Sequence, residues 1–298
     1  MSYNVTIFGI DLTLKPIAFT LPIGNGWDIY WYGIIIALGF VLAVTYGYLR
    51  AAKFGIDLDR MLDVVLVATP CAILGARAYY VIFDPRGSID SLSEFFGFGG
   101  SGISGLAIYG GIIGAVASGI VMMLIRKVKI LDMLDLASIG FLIGQGIGRW
   151  GNFINQEAYG GFTGSSWWGM TSDKVWLAMG SHDLVHPCFL YESVWCLLGA
   201  FVLHKISKKR SFSGQIALLY CVWYGFGRAI IELLRTDSLM IGNVKVSFLV
   251  SMLACVSAIV IFIVIKQRRK ALVKDLAYQT MFDDELLEEP EKEEDING

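Results

Sequence analysis

Gly148-Arg149-Trp150-Gly151-Asn152-Phe153-Ile154-Asn155-Gln156-Glu157-Ala158-Tyr159-Gly160 follows directly on an apolar run at 131–147. Within this short stretch the chain passes from a membrane-like segment to an arginine, amides, a glutamate and glycines. An arginine at a bilayer boundary is costly unless it meets an anion, so the stretch reads as one wall of a polar site in a membrane protein. The plain alternative is a polar loop that ends a helix.

The composition agrees with a membrane setting. The chain is 55% hydrophobic and 17% charged, with a mean hydropathy of +0.61, too apolar for a soluble domain. Seven apolar spans are predicted at about 29–49, 61–82, 104–125, 131–147, 187–205, 214–234 and 244–265. The expected fold is an all-α polytopic bundle, residues 1–270, with a small extracytoplasmic subdomain at about 149–186. Residues 1–28 read as an irregular or interfacial lead-in, and 84–103 as a glycine-rich loop in the interface. The start lacks the pattern of a cleaved signal, so the first span is expected to persist. Residues 271–298 hold ten acidic and two basic residues and read as a disordered cytoplasmic tail without chemistry.

Lysine and arginine distribute unevenly over the two sides of such a bundle. Sixteen fall on the side of Arg50, Arg126, Lys205 and the C-terminus, and six on the side of Arg149 and Arg235. The bias predicts an N-terminus outside and a C-terminus in the cytoplasm, with the opening stretch toward the outer leaflet. Five scattered cysteines without CxxC pairing read as buried hydrophobes, and three histidines without metal spacing predict no metal and no cofactor. Nothing suggests a nucleic-acid partner.

The sixth span ends Tyr224-Gly225-Phe226-Gly227-Arg228-Ala229-Ile230-Ile231-Glu232-Leu233-Leu234-Arg235. On a helix, Tyr224, Arg228, Glu232 and Arg235 fall within about 80° of one another. Such a stripe cannot face lipid. Either Arg228 and Glu232 form an internal pair that fastens helices, or the spare positive charge joins Arg149 around a phosphate. Glu157 and Glu232 are the carboxylates available as a base or as arginine positioners. His186-Pro187 with Tyr191-Glu192 opens the fifth span as a further polar cluster, and His186 there is a capping residue or a site residue. Tyr109, before Gly110-Gly111, is an interface anchor or a hydrogen-bonding group. Tyr30-Trp31-Tyr32 fits an aromatic belt.

Gly148-Arg149-x-Gly151-Asn152-Phe153-Ile154-Asn155-x-Glu157-x-Tyr159-Gly160 resembles the signature of the prolipoprotein diacylglyceryl transferases. Trp31-Tyr32-Gly33, Gly75-Ala76-Arg77, Tyr109-Gly110-Gly111, Asp135, His186-Pro187 with Tyr191-Glu192, and Tyr224 to Arg235 recur in that family's order over about 20–245. The resemblance implies a bacterial plasma-membrane enzyme with no cofactor. It would move the diacylglyceryl group of phosphatidylglycerol to the lipobox cysteine of prolipoprotein signal peptides and release glycerol-1-phosphate. By that analogy Arg149 and Arg228 hold the phosphate, Asn152 and Glu157 shape the outer site, and Glu232 positions Arg228 or moves a proton. Asn155, Tyr32, Arg77, Tyr224, Arg235 and His186 are the further expected substrate contacts. One departure bears on mechanism: Tyr109 stands where better-known members carry a histidine proposed as the base. Tyrosine, with an ordinary pKa of about 10, is a poor base at neutral pH unless arginines lower it. A transporter or binding protein for an anionic lipid is the competing class, and no internal repeat supports it.

Overall fold

The computed structural model describes residues 2–22, 26–83, 107–236, 240–242 and 244–287. The interface loop expected at 84–103 lies outside the described residues. Helices dominate: α1 Trp31–Arg50, α2 Leu58–Phe83, α3 Ile108–Ile125, α4 Ile130–Asn155, α5 Asp173–Met179, α6 Cys188–Ser207, α7 Gln215–Leu234 and α8 Val246–Leu287. Six of these segments are long and apolar enough to cross a membrane, and α3 is a shorter apolar helix over Tyr109–Ile125. Their outward faces are hydrocarbon, as at Leu38 and Val41 on α1 and Leu253 and Val260 on α8, which suits lipid rather than water.

Strands correct the all-α expectation. β1 Tyr3–Ile7, β2 Ile10–Leu14 and β5 Met170–Ser172 form an antiparallel sheet in the order β2-β1-β5. β3 Ile17–Leu21 pairs with β4 Trp27–Tyr30 just before α1, and β6 Met240–Ile241 pairs with β7 Val244–Lys245 between α7 and α8. The lead-in is therefore two hairpins. In the first, Phe8 and Gly9 both have positive φ, 51° and 79°, the backbone of a tight turn whose twist matches its strands. Val5, Met170, Val175 and Val185 pack with Phe153 and Phe189 under this sheet, so the strands close a small cap over one end of the bundle.

α4 is the hub. Half of its apolar window, 50%, is buried within the protein, against 11% for α1 and for α8. Its expected end at residue 147 is corrected, because the helix runs on to Asn155 and stops where Gln156 turns left-handed, φ 54°. Small residues let it approach its neighbours: a Cβ on Gly39 of α1 would lie 3.2 Å from the Gly144 carbonyl oxygen. At the end away from the cap, the fully buried Asp135 accepts from the backbone N–H groups of Gly214 and Ala217, each at 2.8 Å, and pairs with Arg210 at 2.8 Å. That carboxylate caps the start of α7 and ties it to α4. Between α6 and α7, each of Trp195 and Trp223 donates its indole N–H to the other's carbonyl, at 2.9 and 3.0 Å. These links set the depth of α7 against α4 and α6, and with it the level of every polar residue near the cap.

α8 runs unbroken to Leu287, into the acidic segment for which composition predicted disorder. Extending a formed helix needs no new nucleus, and Ala, Leu, Lys and Glu are favourable helix formers.

Candidate active site

Three helices bring polar groups together just under the cap. The last turns of α4 carry Arg149 and Asn152, the first turns of α6 carry Glu192, and the last turns of α7 carry Tyr224, Arg228 and Glu232. Glu192, 2% exposed, is the centre of the cluster. Its Oε1 is paired with Arg149 Nη2 and accepts from the Tyr224 hydroxyl at 3.2 Å. Its Oε2 accepts from Arg228 Nη1 at 3.0 Å. Arg228 Nη2 reaches Glu232 Oε2 at 2.6 Å, and Arg149 Nη1 donates to Asn152 Oδ1 at 3.3 Å. Tyr224, Arg228 and Glu232 of the stripe predicted on the sixth span come together on α7, and the Arg228–Glu232 pair is one part of a larger network.

A cavity of about 750 Å³ opens from this cluster and runs along α1 and α4. Its polar end is lined by Tyr32, Arg149, Asn152, Glu157, Arg228 and Arg235. Away from the cap it becomes hydrocarbon, with Phe40, Val44, Val65 and Phe141 as walls and Met61 and Met133 at its far end. From Asn152 to Met133 the helical rise along the cavity is about 28 Å. The length of the cavity and its apolar walls suit extended hydrocarbon chains.

Glu157 reaches the cavity by a strained route. The left-handed residues Gln156 and Ala158, φ 54° and 58°, flank it and are themselves buried, 1% and 6% exposed, while its own side chain is exposed. Non-glycine residues hold that conformation only where surrounding structure imposes it, and such strain clusters at functional sites. The Glu157 carboxylate makes no hydrogen bond or ion pair among the described residues. Gly160 and Gly161 lace the same loop to α6 and α7 through Gly160 N–H to His186 O and Gly161 N–H to Leu234 O, each 2.9 Å. α7 stops at Leu234, so Arg235 sits one step beyond the helix. It still lines the cavity. Lys245 caps that helix end, its ammonium 2.7 Å from Glu232 O and 2.6 Å from Arg235 O.

Six predicted residues, Tyr32, Arg149, Asn152, Glu157, Arg228 and Arg235, thus share the cavity wall, and Glu232 and Tyr224 stand behind the arginines. The other four are not among the lining residues. Asn155 ends α4, and its carbonyl accepts from Lys174 at 2.8 Å. His186 belongs to the cap, with Nδ1 3.3 Å from the Tyr191 hydroxyl. Arg77 is buried on α2, its guanidinium 5.7 Å from the Tyr80 ring centre. Tyr109 lies on α3, 61% exposed, with its ring 6.5 Å from that of Tyr79.

The prolipoprotein diacylglyceryl transferase family matches residues 16–264. The chain belongs to this family. The phosphatidylglycerol–prolipoprotein diacylglyceryl transferase of Finegoldia magna is 43% identical over 244 residues, 82% of this chain and 94% of the relative. That of Clostridium novyi is 38% identical over 269 residues, 88% of this chain and the whole of the relative, and that of Clostridioides difficile 37% over 257, covering 86% and 98%.

In this diacylglyceryl transferase chain, Glu192, which the sequence marked only as part of a polar cluster and a family motif, is the residue that joins the two arginines. A signal for it existed. It is an acid inside the apolar segment Cys188–Ser207 with no basic residue three or four positions away on its own helix, so its partner had to come from another helix.

Proposed function

We propose that the protein transfers the diacylglyceryl group of phosphatidylglycerol to the thiol of a lipobox cysteine in prolipoprotein signal peptides, the first step of bacterial lipoprotein maturation. The observation that carries this reading is the pair of arginines bridged by Glu192 at the polar head of a long apolar cavity. A phosphodiester with hydrocarbon tails matches it end to end. Each guanidinium has five N–H donors, more than its carboxylate partners use, so Arg149 and Arg228 can hold a phosphate while remaining fixed by Glu192 and Glu232. Arg235 adds a third positive group on the same wall.

In the reaction the thiol sulfur forms a bond to the glyceryl carbon next to the phosphate, the C–O bond breaks, and glycerol-1-phosphate leaves with the electron pair. Negative charge grows on the departing phosphate, where preorganised guanidinium donors stabilise it without reorganisation. A thiol with an ordinary pKa of about 8.5 needs a base or a positive field to react near neutrality. Glu192 and Glu232 are committed to arginines, which leaves Glu157, at the mouth of the cavity, to take the proton. Tyr109, outside the cavity lining, serves the α2–α3 surface instead.

In the same reading α3 is the seventh span, the cap faces outward from the bacterial plasma membrane, and the sixteen-to-six charge bias holds the other end in the cytoplasm. Residues 1–270 form the catalytic membrane domain, and the acidic segment beyond them is a cytoplasmic extension without chemistry. Phosphatidylglycerol enters sideways from the outer leaflet and the signal peptide meets it there. The direct test is release of glycerol-1-phosphate by purified protein given phosphatidylglycerol and a lipobox peptide. Release is expected with the cysteine peptide and not with its serine analogue; equal release with both would mean that the thiol is not the acceptor.

A further inference from the structure

One layer below the arginine cluster lies a second polar pair, Gln145 and Tyr220. Gln145 on α4 precedes Arg149 by four residues, and Tyr220 on α7 precedes Tyr224 by four, so both sit one helical turn, about 6 Å, farther from the cap. Gln145 Nε2 donates to the Tyr220 hydroxyl at 3.0 Å, and the Tyr220 ring stacks on that of Tyr224 with centres 5.7 Å apart. Gln145 also lines the cavity. Its Oε1 is buried and meets no hydrogen-bonding group among the described residues. That oxygen has almost no accessible surface, so what the side chain offers the cavity is the second N–H of Nε2, the first being given to Tyr220.

The depth identifies the acceptor for that N–H. With a lipid phosphate at Arg149 and Arg228, the groups a few bonds inward are the two ester linkages of the diacylglyceryl unit, which carry acceptors and no donors. The second N–H of Gln145 Nε2 supplies the matching donor. We propose that Gln145 hydrogen-bonds an ester carbonyl of the bound donor lipid, so that the enzyme favours ester-linked over ether-linked phosphatidylglycerol. The proposal rests on the phosphatidylglycerol reading of the site.

The experiment measures kcat/KM for thioether formation with diacyl and with dialkyl phosphatidylglycerol of equal chain length, in wild-type protein and in Gln145→Met and Gln145→Leu. One hydrogen bond of ordinary strength corresponds to a factor of about 3–10. The diacyl-to-dialkyl ratio is expected to be larger by that factor in wild type than in either variant. Because each ratio is taken within one protein, a smaller folded fraction cancels. For a variant without turnover, the infrared stretch of carbon-13-labelled ester carbonyls in bound donor is read instead. It is expected at lower frequency on wild type than on the variant. A ratio that is the same in wild type and variants, or the same carbonyl frequency in both, overturns the role of Gln145 and leaves the transferase reading standing. Absence of product from the diacyl donor in wild type overturns both.

Discussion

Arg149 on α4 and Arg228 on α7 are held by the two oxygens of one carboxylate, that of Glu192 on α6, with Arg228 Nη1 3.0 Å from Oε2. Two cations that would repel one another are thereby fixed side by side facing a cavity. Breaking a buried charge network by removing one member costs about 3–5 kcal/mol, because the remaining charges are left uncompensated. Glu192→Gln, which keeps the shape and removes the charge, is expected to lower the thermal midpoint in detergent and to abolish turnover. A variant with the wild-type midpoint and rate would show that the bridge is dispensable.

At the opposite end, Asp135 joins Arg210 to the N-terminal turn of α7. Asp135→Asn weakens an ion pair and two charge-assisted hydrogen bonds in a site with no exposure. A loss of about 3 kcal/mol is expected, read as a lower unfolding midpoint, with less change in KM than in the amount of folded enzyme. A midpoint unaltered by the substitution would remove Asp135 from the support of α7.

Gly151 lets Tyr32 reach the cavity. A Cβ there would come 2.6 Å from Cδ2 of the Tyr32 ring, and the ring is too large to yield without leaving its place. Gly151→Ala is therefore expected to reduce kcat/KM by roughly a hundredfold, the scale of a misplacement of about 1 Å at a reacting centre. Activity within a factor of two would mean that Tyr32 is not positioned there for the reaction.

The proton route separates two side chains. Glu157→Gln is expected to lower kcat by about 10²–10⁴-fold, the range for loss of a general base, with KM for phosphatidylglycerol little changed. Tyr109→Phe, at an exposed position, is expected to stay within about twofold of wild type, since substitutions away from such features shift free energies by about 0.5 kcal/mol or less. Steady-state kinetics on both proteins decides: a collapse in Tyr109→Phe with activity retained in Glu157→Gln would reverse the assignment.

Where sequence reading succeeded, the signal was periodic or compositional. The spacing of Tyr224, Arg228 and Glu232 put them on one stripe because helical geometry is fixed, and Arg149 was conspicuous as a charge after an apolar run. The misses have physical causes too. The glycines at 146, 148 and 151 made the end of α4 resemble a loop, whereas Gly146 and Gly151 are there to admit Leu197 and Tyr32. The alternation Tyr3, Val5, Ile7 around a two-residue Phe8-Gly9 turn was a hairpin signal, masked by the long membrane-like spans that dominate the composition. Glu192 lay beyond periodicity altogether: its partners are 43 and 36 residues away along the chain, and only packing of α4, α6 and α7 brings them together.

The most direct measurement is the mass of a lipobox peptide after incubation with phosphatidylglycerol and purified protein, for wild type and for Arg149→Ala and Arg228→Ala shown by their unfolding transitions to be folded. Wild type is expected to add a diacylglyceryl group to the cysteine sulfur, and neither variant is expected to yield product. An unmodified peptide with wild type beside an active control enzyme, or full modification by either folded variant, would contradict a phosphate site built from these two arginines.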